Sequence, residues 1–253
     1  MLETFLLFQV LYLVPLALES KLSFKHLIVP YWLMWYLFSL LLWRLFKISV
    51  IDKFPSVKPL VWIVLSVFVA IISGLIPLTY HFAFQRTCTF FPFFVMGLFT
   101  PKNLFDRLKT MNKPISFLIL IIIVIAVICL KEDFSAVIGS SQCYPFYGEP
   151  QIISCIYRLV FIVAACLMGV SVIALCPDCA FMASQGKLSL VYYLYHGFLV
   201  ILMKYLIEKY SLPANTAILL LISVLIITIL YFFSKTKIAS FLTNPFSKIT
   251  KKT

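Results

Sequence analysis

Long, almost uncharged apolar runs divide this chain from end to end, and no other feature restricts its fold as strongly. A helix needs about 20 predominantly apolar residues to cross the hydrocarbon core of a bilayer. Runs of that kind fall at Leu2–Leu18, Leu27–Leu45, Pro59–Tyr80, Phe82–Phe99, Pro114–Leu130, Ile152–Cys176, Lys187–Ile207 and Pro213–Phe233. They are continuous rather than alternating, which excludes a membrane barrel of short alternating strands. The pattern predicts an all-α fold, a polytopic transmembrane bundle of about eight helices. A single domain over residues 1–253, without linker or repeat, is expected. Composition agrees, with 63% hydrophobic and 12% charged residues, where a soluble domain is about half apolar and about a quarter charged. No core of this size hides that much apolar surface, whereas lipid solvates it.

The formal charge of +12 would, in a soluble domain, point toward nucleic acid. Here Lys and Arg stand in short loops and in the C-terminal tail rather than on one basic face, so no nucleic-acid partner is expected. The partner such loops meet is membrane lipid, and their distribution sets orientation. With both termini cytoplasmic, 14 of the 21 basic residues lie in inside segments and seven outside, Arg86 and Arg158 being counted in the outer set. The expectation is a multi-pass protein of the cell membrane, with the loop from Lys131 to Pro150 outside. The first residues lack a basic stretch, and the first run ends at Glu19 without a small-residue cleavage site, so no cleavable signal peptide is expected.

Of the seven cysteines, Cys88, Cys129, Cys155 and Cys166 fall within or at the edge of apolar runs, where a thiol behaves as a small hydrophobe. Cys176-Pro177-Asp178-Cys179 has redox-motif spacing, but no βαβ context surrounds it and no second pair completes a zinc site. Loop-edge cysteines and no metal site are expected.

Polar residues at membrane depth are costly and face the bundle interior or a cavity. Arg86 lies about one turn into the fourth run, and Pro92 interrupts that run's Phe-rich centre. A guanidinium there can hold a carboxylate, a phosphate or a developing oxyanion in bidentate geometry. The freed backbone carbonyl opposite Pro92 favours an irregular, cavity-lining segment. The alternative is an Arg that snorkels to the interface and anchors the helix end. His196 stands about ten residues into the seventh run, close to the midplane. Ser189, Tyr192 and His196 are spaced i, i+3, i+7 and share a helix face. That face either binds a polar substrate and relays protons or forms an interhelical hydrogen-bond seam. His26 and His81 read as interfacial, and Trp32, Trp35 and Trp43 as belt or packing residues.

Two stretches carry a resemblance. Arg86-Thr87-Cys88-Thr89-Phe90-Phe91-Pro92-Phe93-Phe94-Val95-Met96-Gly97 resembles an Arg-Thr-x-x-Phe-x-Pro-Phe-Phe-x-x-Gly helix, and Gly186–Phe198 a Ser-Leu-x-x-Tyr-Leu-x-His-Gly helix. Both patterns are those of the acyltransferase-3 superfamily of integral membrane acyltransferases, especially its fucose 4-O-acetylase-like branch, which the chain thereby resembles. Ile28–Leu37 with Trp43-Arg44 is similar to that branch's Trp-rich helix, and Gly139-Ser140-Ser141 with Tyr144 to its outer loop. The resemblance implies transfer of an acyl group, usually acetyl, from acetyl-CoA or another acyl-CoA to a hydroxyl of a cell-envelope glycan. Arg86 would then serve the oxyanion or the acceptor, and Ser189, Tyr192 and His196 would contact substrate.

The family's catalytic His lies on an N-terminal helix, followed by one with a Met-Pro-Leu-Phe-like motif. This chain begins at what looks like the family's third helix, so the resemblance implies an N-terminally incomplete domain that takes its base from an upstream segment. Two competing readings stand beside the enzyme: a catalytically dead remnant or accessory subunit, and a lipid- or glycan-moving transporter, which also uses an intramembrane Arg and a broken helix.

Overall fold

The computed structural model of the chain describes residues 1–18, 23, 29–78, 81–129, 142–146, 148–211 and 215–239. The loop holding His26, the Gly139-Ser140-Ser141 stretch, most of the Lys131–Pro150 loop and the end of the basic tail lie outside the described residues. In chain order the α-helices are α1 (Leu2–Leu18), α2 (Trp35–Ser49), α3 (Pro59–Ile72), α4 (Phe84–Phe99) and α5 (Lys102–Lys109). They continue with α6 (Lys113–Cys129), α7 (Gln151–Leu175), α8 (Ala180–Lys187), α9 (Ser189–Lys209) and α10 (Thr216–Ser234). No strand occurs among the described residues.

Each of the eight apolar runs thus carries an α-helix, but fewer are long enough to span. Four helical stretches are long and apolar enough to cross a membrane: Trp32–Lys53, Gln151–Leu175, Ser189–Lys209 and Thr216–Ser234. A fifth forms if Asn103–Lys109 and Lys113–Cys129, bent by 89° at their junction, act as one span. Helices α1 and α6, with 17 residues each, reach about 25 Å at 1.5 Å per residue, the short end of what crosses a hydrocarbon core of about 30 Å. These helices mark a membrane protein. Their outer faces agree, since Leu220, Leu221, Val224 and Ile227 of α10 are all more than 60% exposed. In water such a patch would be an association site.

Three boundaries differ from the apolar runs, each for a local reason. The second run becomes α-helical only at Trp35, because Trp32 takes a left-handed φ of 44° and a 3-10 turn over Trp32–Met34 intervenes. The third run ends as an α-helix at Ile72, not Tyr80, and tightens into a 3-10 turn over Ser73–Leu75. There Ser73 Oγ donates back to the Ala70 carbonyl at 2.9 Å, a bond that competes with helix continuation. The fourth run is not broken at Pro92, since α4 passes through that residue without interruption. A single missing N–H removes one ladder bond, and helices within a membrane tolerate that loss. The irregularity lies before α4 instead, where Phe82 and Ala83 both have left-handed φ, 50° and 53°.

The chain forms two compact units. In one, residues 28–30 and 35–177, α3 packs on α4 and α6 on α7, with α2 beside α4 and α5 beside α7. In the other, residues 1–27, 31–34 and 178–253, α9 and α10 form an antiparallel pair. Phe8 of α1 meets Tyr195 of α9 edge to face at 5.2 Å, and Tyr12 stacks on Phe198 at 4.1 Å. Gln9 of α1 accepts the Tyr31 N–H at 3.0 Å. Helix α10 starts on an N-cap, Asn215, whose Oδ1 accepts from the Ile218 N–H at 2.9 Å, satisfying one of the four orphan donors of a helix start.

Candidate functional site

The most deeply buried charge is neither of the two polar residues that the apolar pattern singled out. Arg158, in the second turn of α7, is 1% exposed, and no carboxylate pairs with it among the described residues. A buried cation needs full compensation, and α3 and its neighbours supply it. Arg158 Nη1 donates to the Ala70 carbonyl at 3.2 Å, to Ser73 Oγ at 3.3 Å and to Gln85 Oε1 at 3.1 Å, while Nη2 donates to the Gln142 carbonyl at 2.9 Å. Ala70 and Ser73 sit at the C-terminal end of α3, where unsatisfied carbonyls carry the negative end of the helix dipole. The guanidinium also lies over the rings of Tyr144 and Phe146, at 4.9 and 5.3 Å, a cation–π arrangement that strengthens when dry.

Gln85 completes the cluster by donating from Nε2 to the Ser73 and Ile76 carbonyls at 2.8 and 2.9 Å. The loop segment Gln142–Phe146 is strapped down by the same groups. Tyr144 donates its N–H to the Gly74 carbonyl at 2.7 Å and its hydroxyl to the Ile71 carbonyl at 3.0 Å. Burial pushes the Tyr144 phenol above its usual range, so it stays a donor. Gly74 is required here, because a Cβ at that position would overlap the Tyr144 ring. With its donors directed at protein acceptors, Arg158 acts as a clamp on α3, α4, α7 and the loop.

Arg86, on the next position of α4, is half-buried and lies over the Trp35 ring at 5.3 Å. Its neighbour Thr87 shares a hydrogen bond with Ser39 through their hydroxyls at 2.6 Å, and the Thr87 carbonyl accepts from Trp43 Nε1 at 3.0 Å. Trp35, Ser39 and Trp43 are spaced i, i+4, i+8, so one face of α2 meets the Arg86-Thr87 pair. The Trp-rich helix and the Arg-Thr helix, separate in the sequence, are therefore one seam.

His196 stands in the other unit, on α9. Its Nδ1 lies 2.8 Å from the Tyr193 carbonyl and 3.1 Å from the Tyr192 carbonyl. Carbonyls only accept, so Nδ1 is the donor in these contacts, and in the neutral ring the lone pair then falls on Nε2. Nε2 makes no hydrogen bond among the described residues. His196 lines an open groove of about 1020 Å³ between α9 and α10, walled mainly by apolar side chains such as Ile226, Leu230 and Tyr231. Tyr192 lines it too, donating its hydroxyl to Gln185 Oε1 of α8 at 2.5 Å. Ser223 and Thr228 add hydroxyls from α10, though each donates to its own helix. Gly197 is needed behind His196, since a Cβ there would overlap Tyr12 and Leu33. Tyr12 fixes the same turn by donating to the Leu194 carbonyl at 2.7 Å, and the Tyr193 hydroxyl donates to the Leu33 carbonyl.

The structure thus brings Tyr192 and His196 together on one groove wall, joined through the Tyr192 carbonyl and not through the Tyr192 hydroxyl. Ser189 is exposed at the first position of α9 and does not line the groove. Arg86 belongs to the other unit and its aromatic seam. Among the described residues no cluster of His, Cys, Asp or Glu could hold a metal ion. The chain matches no known protein family, no curated protein and no solved structure.

Two participants escaped the sequence reading. Arg158 counts in the sequence among the outer-set charges, although it stands eight residues into a 25-residue apolar helix. That position, with Gln85 as another long polar side chain in an apolar run, was the available signal. Gln185 lies seven residues before Tyr192, two turns back on the same helical stripe, but α8 and α9 are separate helices, so periodicity alone could not join them.

Proposed function

We propose that the chain is a membrane-embedded O-acyltransferase of about eight spans, multi-pass in the cell membrane with both termini cytoplasmic, which moves an acetyl group from acetyl-CoA to a hydroxyl of a cell-envelope glycan. One observation carries the reading: His196 has Nδ1 committed to backbone carbonyls, leaving Nε2 as a bare base at the wall of a large groove. The resemblance of Arg86–Gly97 and Gly186–Phe198 to the membrane acyltransferases supports it.

Acyl transfer to a sugar needs a positioned base, because a hydroxyl is a poor nucleophile near neutral pH. In this reading His196 Nε2 takes the hydroxyl proton while the hydroxyl oxygen attacks the thioester carbonyl. The carbonyl becomes a tetrahedral oxyanion, for which preorganised donors give the largest rate gain. Tyr192 and Tyr193 bring phenols to that wall, the Tyr192 hydroxyl being held by Gln185, and only the resemblance assigns Arg86, in the other unit, to the oxyanion or acceptor. Collapse breaks the C–S bond, the ester remains on the sugar, and the CoA thiolate takes the proton from His196.

The test is incorporation of labelled acetyl from acetyl-CoA into glycan by membranes holding the chain, with and without a co-expressed upstream helix bearing the family's His. Incorporation by the chain alone supports His196 as base. Incorporation only with the added helix keeps the acyltransferase and assigns His196 to substrate contact. Inactivity of both rejects the enzyme in favour of a remnant or transporter.

A further inference from the structure

Helix α5 fits neither the spans nor the groove. Its eight residues, Lys-Asn-Leu-Phe-Asp-Arg-Leu-Lys, extend about 12 Å, less than half the hydrocarbon thickness. It meets the following apolar helix α6 at 89°. If α6 crosses the bilayer, a helix at a right angle to it lies in the membrane plane. The side chains are arranged for that position. Leu104 and Leu108, one turn apart, form an apolar stripe with Phe105 beside it, and Leu104 and Phe105 are 36% and 44% exposed. Leu108 is half-buried, and α5 packs against α7. Lys109 stands at one edge of the apolar stripe and Arg107 at the other, while Asp106 points away from it. From Lys102 to Lys113 four basic residues stand against one acidic residue.

This is the pattern of a helix that rests at the boundary between headgroups and acyl chains, apolar side down, with long cationic side chains reaching from its flanks to the headgroups. We propose that α5 is an in-plane anchor that seats Leu104 and Phe105 among the acyl chains and binds anionic phospholipid headgroups through the exposed Arg107. The occupant is the leaflet itself: apolar exposure and flanking positive charge together match an anionic lipid surface better than either matches neutral lipid or water. The proposal rests on α6 crossing the membrane and is independent of acyl transfer.

Hydrogen–deuterium exchange on the full chain in nanodiscs tests it, using neutral phosphatidylcholine discs and discs in which part of the lipid is phosphatidylglycerol. A basic side chain near an anionic surface favours the bound state about five-fold, which sets the size of the preference that Arg107 gives. The peptide covering 102–109 should therefore exchange several-fold more slowly in the anionic discs, and high salt should erase the difference by screening. Arg107→Gln should remove most of the dependence on lipid charge, and Phe105→Ser should speed exchange in both discs. Peptides from α7 serve as the folding control. Equal exchange in both discs, or protection that survives Phe105→Ser, overturns the proposal and indicates that protein rather than lipid covers α5. Fast exchange throughout α6 would remove its premise and overturn it as well, without bearing on acyl transfer.

Discussion

Replacing Arg158 by Met should unstitch the segment Gln142–Phe146 from the helices beneath it. The guanidinium makes four hydrogen bonds, three from Nη1 and one from Nη2. Met fills a similar volume and removes the charge, but it offers nothing to the acceptors. Ser73 Oγ and the Ala70 carbonyl still satisfy each other at 2.9 Å. Gln85 Oε1 and the Gln142 carbonyl are stranded. A buried acceptor left unsatisfied costs about 1–3 kcal/mol, and the relief of no longer burying a cation offsets part of the sum, leaving a net loss of about 3 kcal/mol. At roughly 2–4 °C per kcal/mol for a chain of this size, the melting temperature should fall by about 6–12 °C.

Arg158→Lys keeps the charge as a single point and cannot span acceptors on both sides, so it should fall between wild type and Met. Thermal unfolding in nanodiscs gives the order, and limited proteolysis between residues 142 and 149 reports the loop separately. Both variants should show faster cleavage there, Met more than Lys. A Met variant melting within about 2 °C of wild type, less than about 1 kcal/mol, with unchanged cleavage would refute the clamp.

Other outcomes follow from the same packing. Gly197→Ala lies inside α9, where Ala normally gains up to about 1 kcal/mol over Gly; overlap with Tyr12 and Leu33 should reverse that sign and lower the melting temperature. Arg86→Lys should abolish acetyl transfer with expression near normal if the planar fork holds oxyanion or acceptor, and full activity would return Arg86 to an anchoring role over Trp35. Reporter fusions should place residues 47–58 and 102–113 on one side of the membrane and 131–150 on the other, and finding all three on one side would sink the eight-span topology.

Element types were legible because apolar run length is a bulk property: a stretch such as Ile115–Ile128 has one way to satisfy its backbone in lipid, and it is a helix. Run length said less about where helices end. The termination of α3 at Ile72 depends on Ser73 turning back to Ala70, and on Arg158 reaching the same carbonyl from 88 positions away. Neither bond leaves a periodic trace. Pro92 misled for a related reason, since its missing N–H is a local fact while its tolerance depends on the surroundings that bury it.

At the candidate site the shared face of Tyr192 and His196 was readable from spacing, because both lie on one helix. What each side chain bonds was not. The Tyr192 hydroxyl reaches Gln185 of α8, and His196 turns Nδ1 to its own preceding turn. The roles of Gly74 and Gly197 likewise emerge only from the rings that approach them.

Acetyl transfer by a His196→Gln variant tests the central claim most directly. Gln keeps a donor able to face the Tyr192 and Tyr193 carbonyls but has no basic lone pair at the position of Nε2. Membranes holding wild type or variant are given labelled acetyl-CoA and glycan acceptor, and unfolding is measured on the same preparations. The account predicts a loss of about 10²–10⁴-fold in rate, the usual contribution of a positioned general base, with an unchanged melting temperature. Wild-type incorporation by His196→Gln would contradict it and leave the groove without a catalytic base.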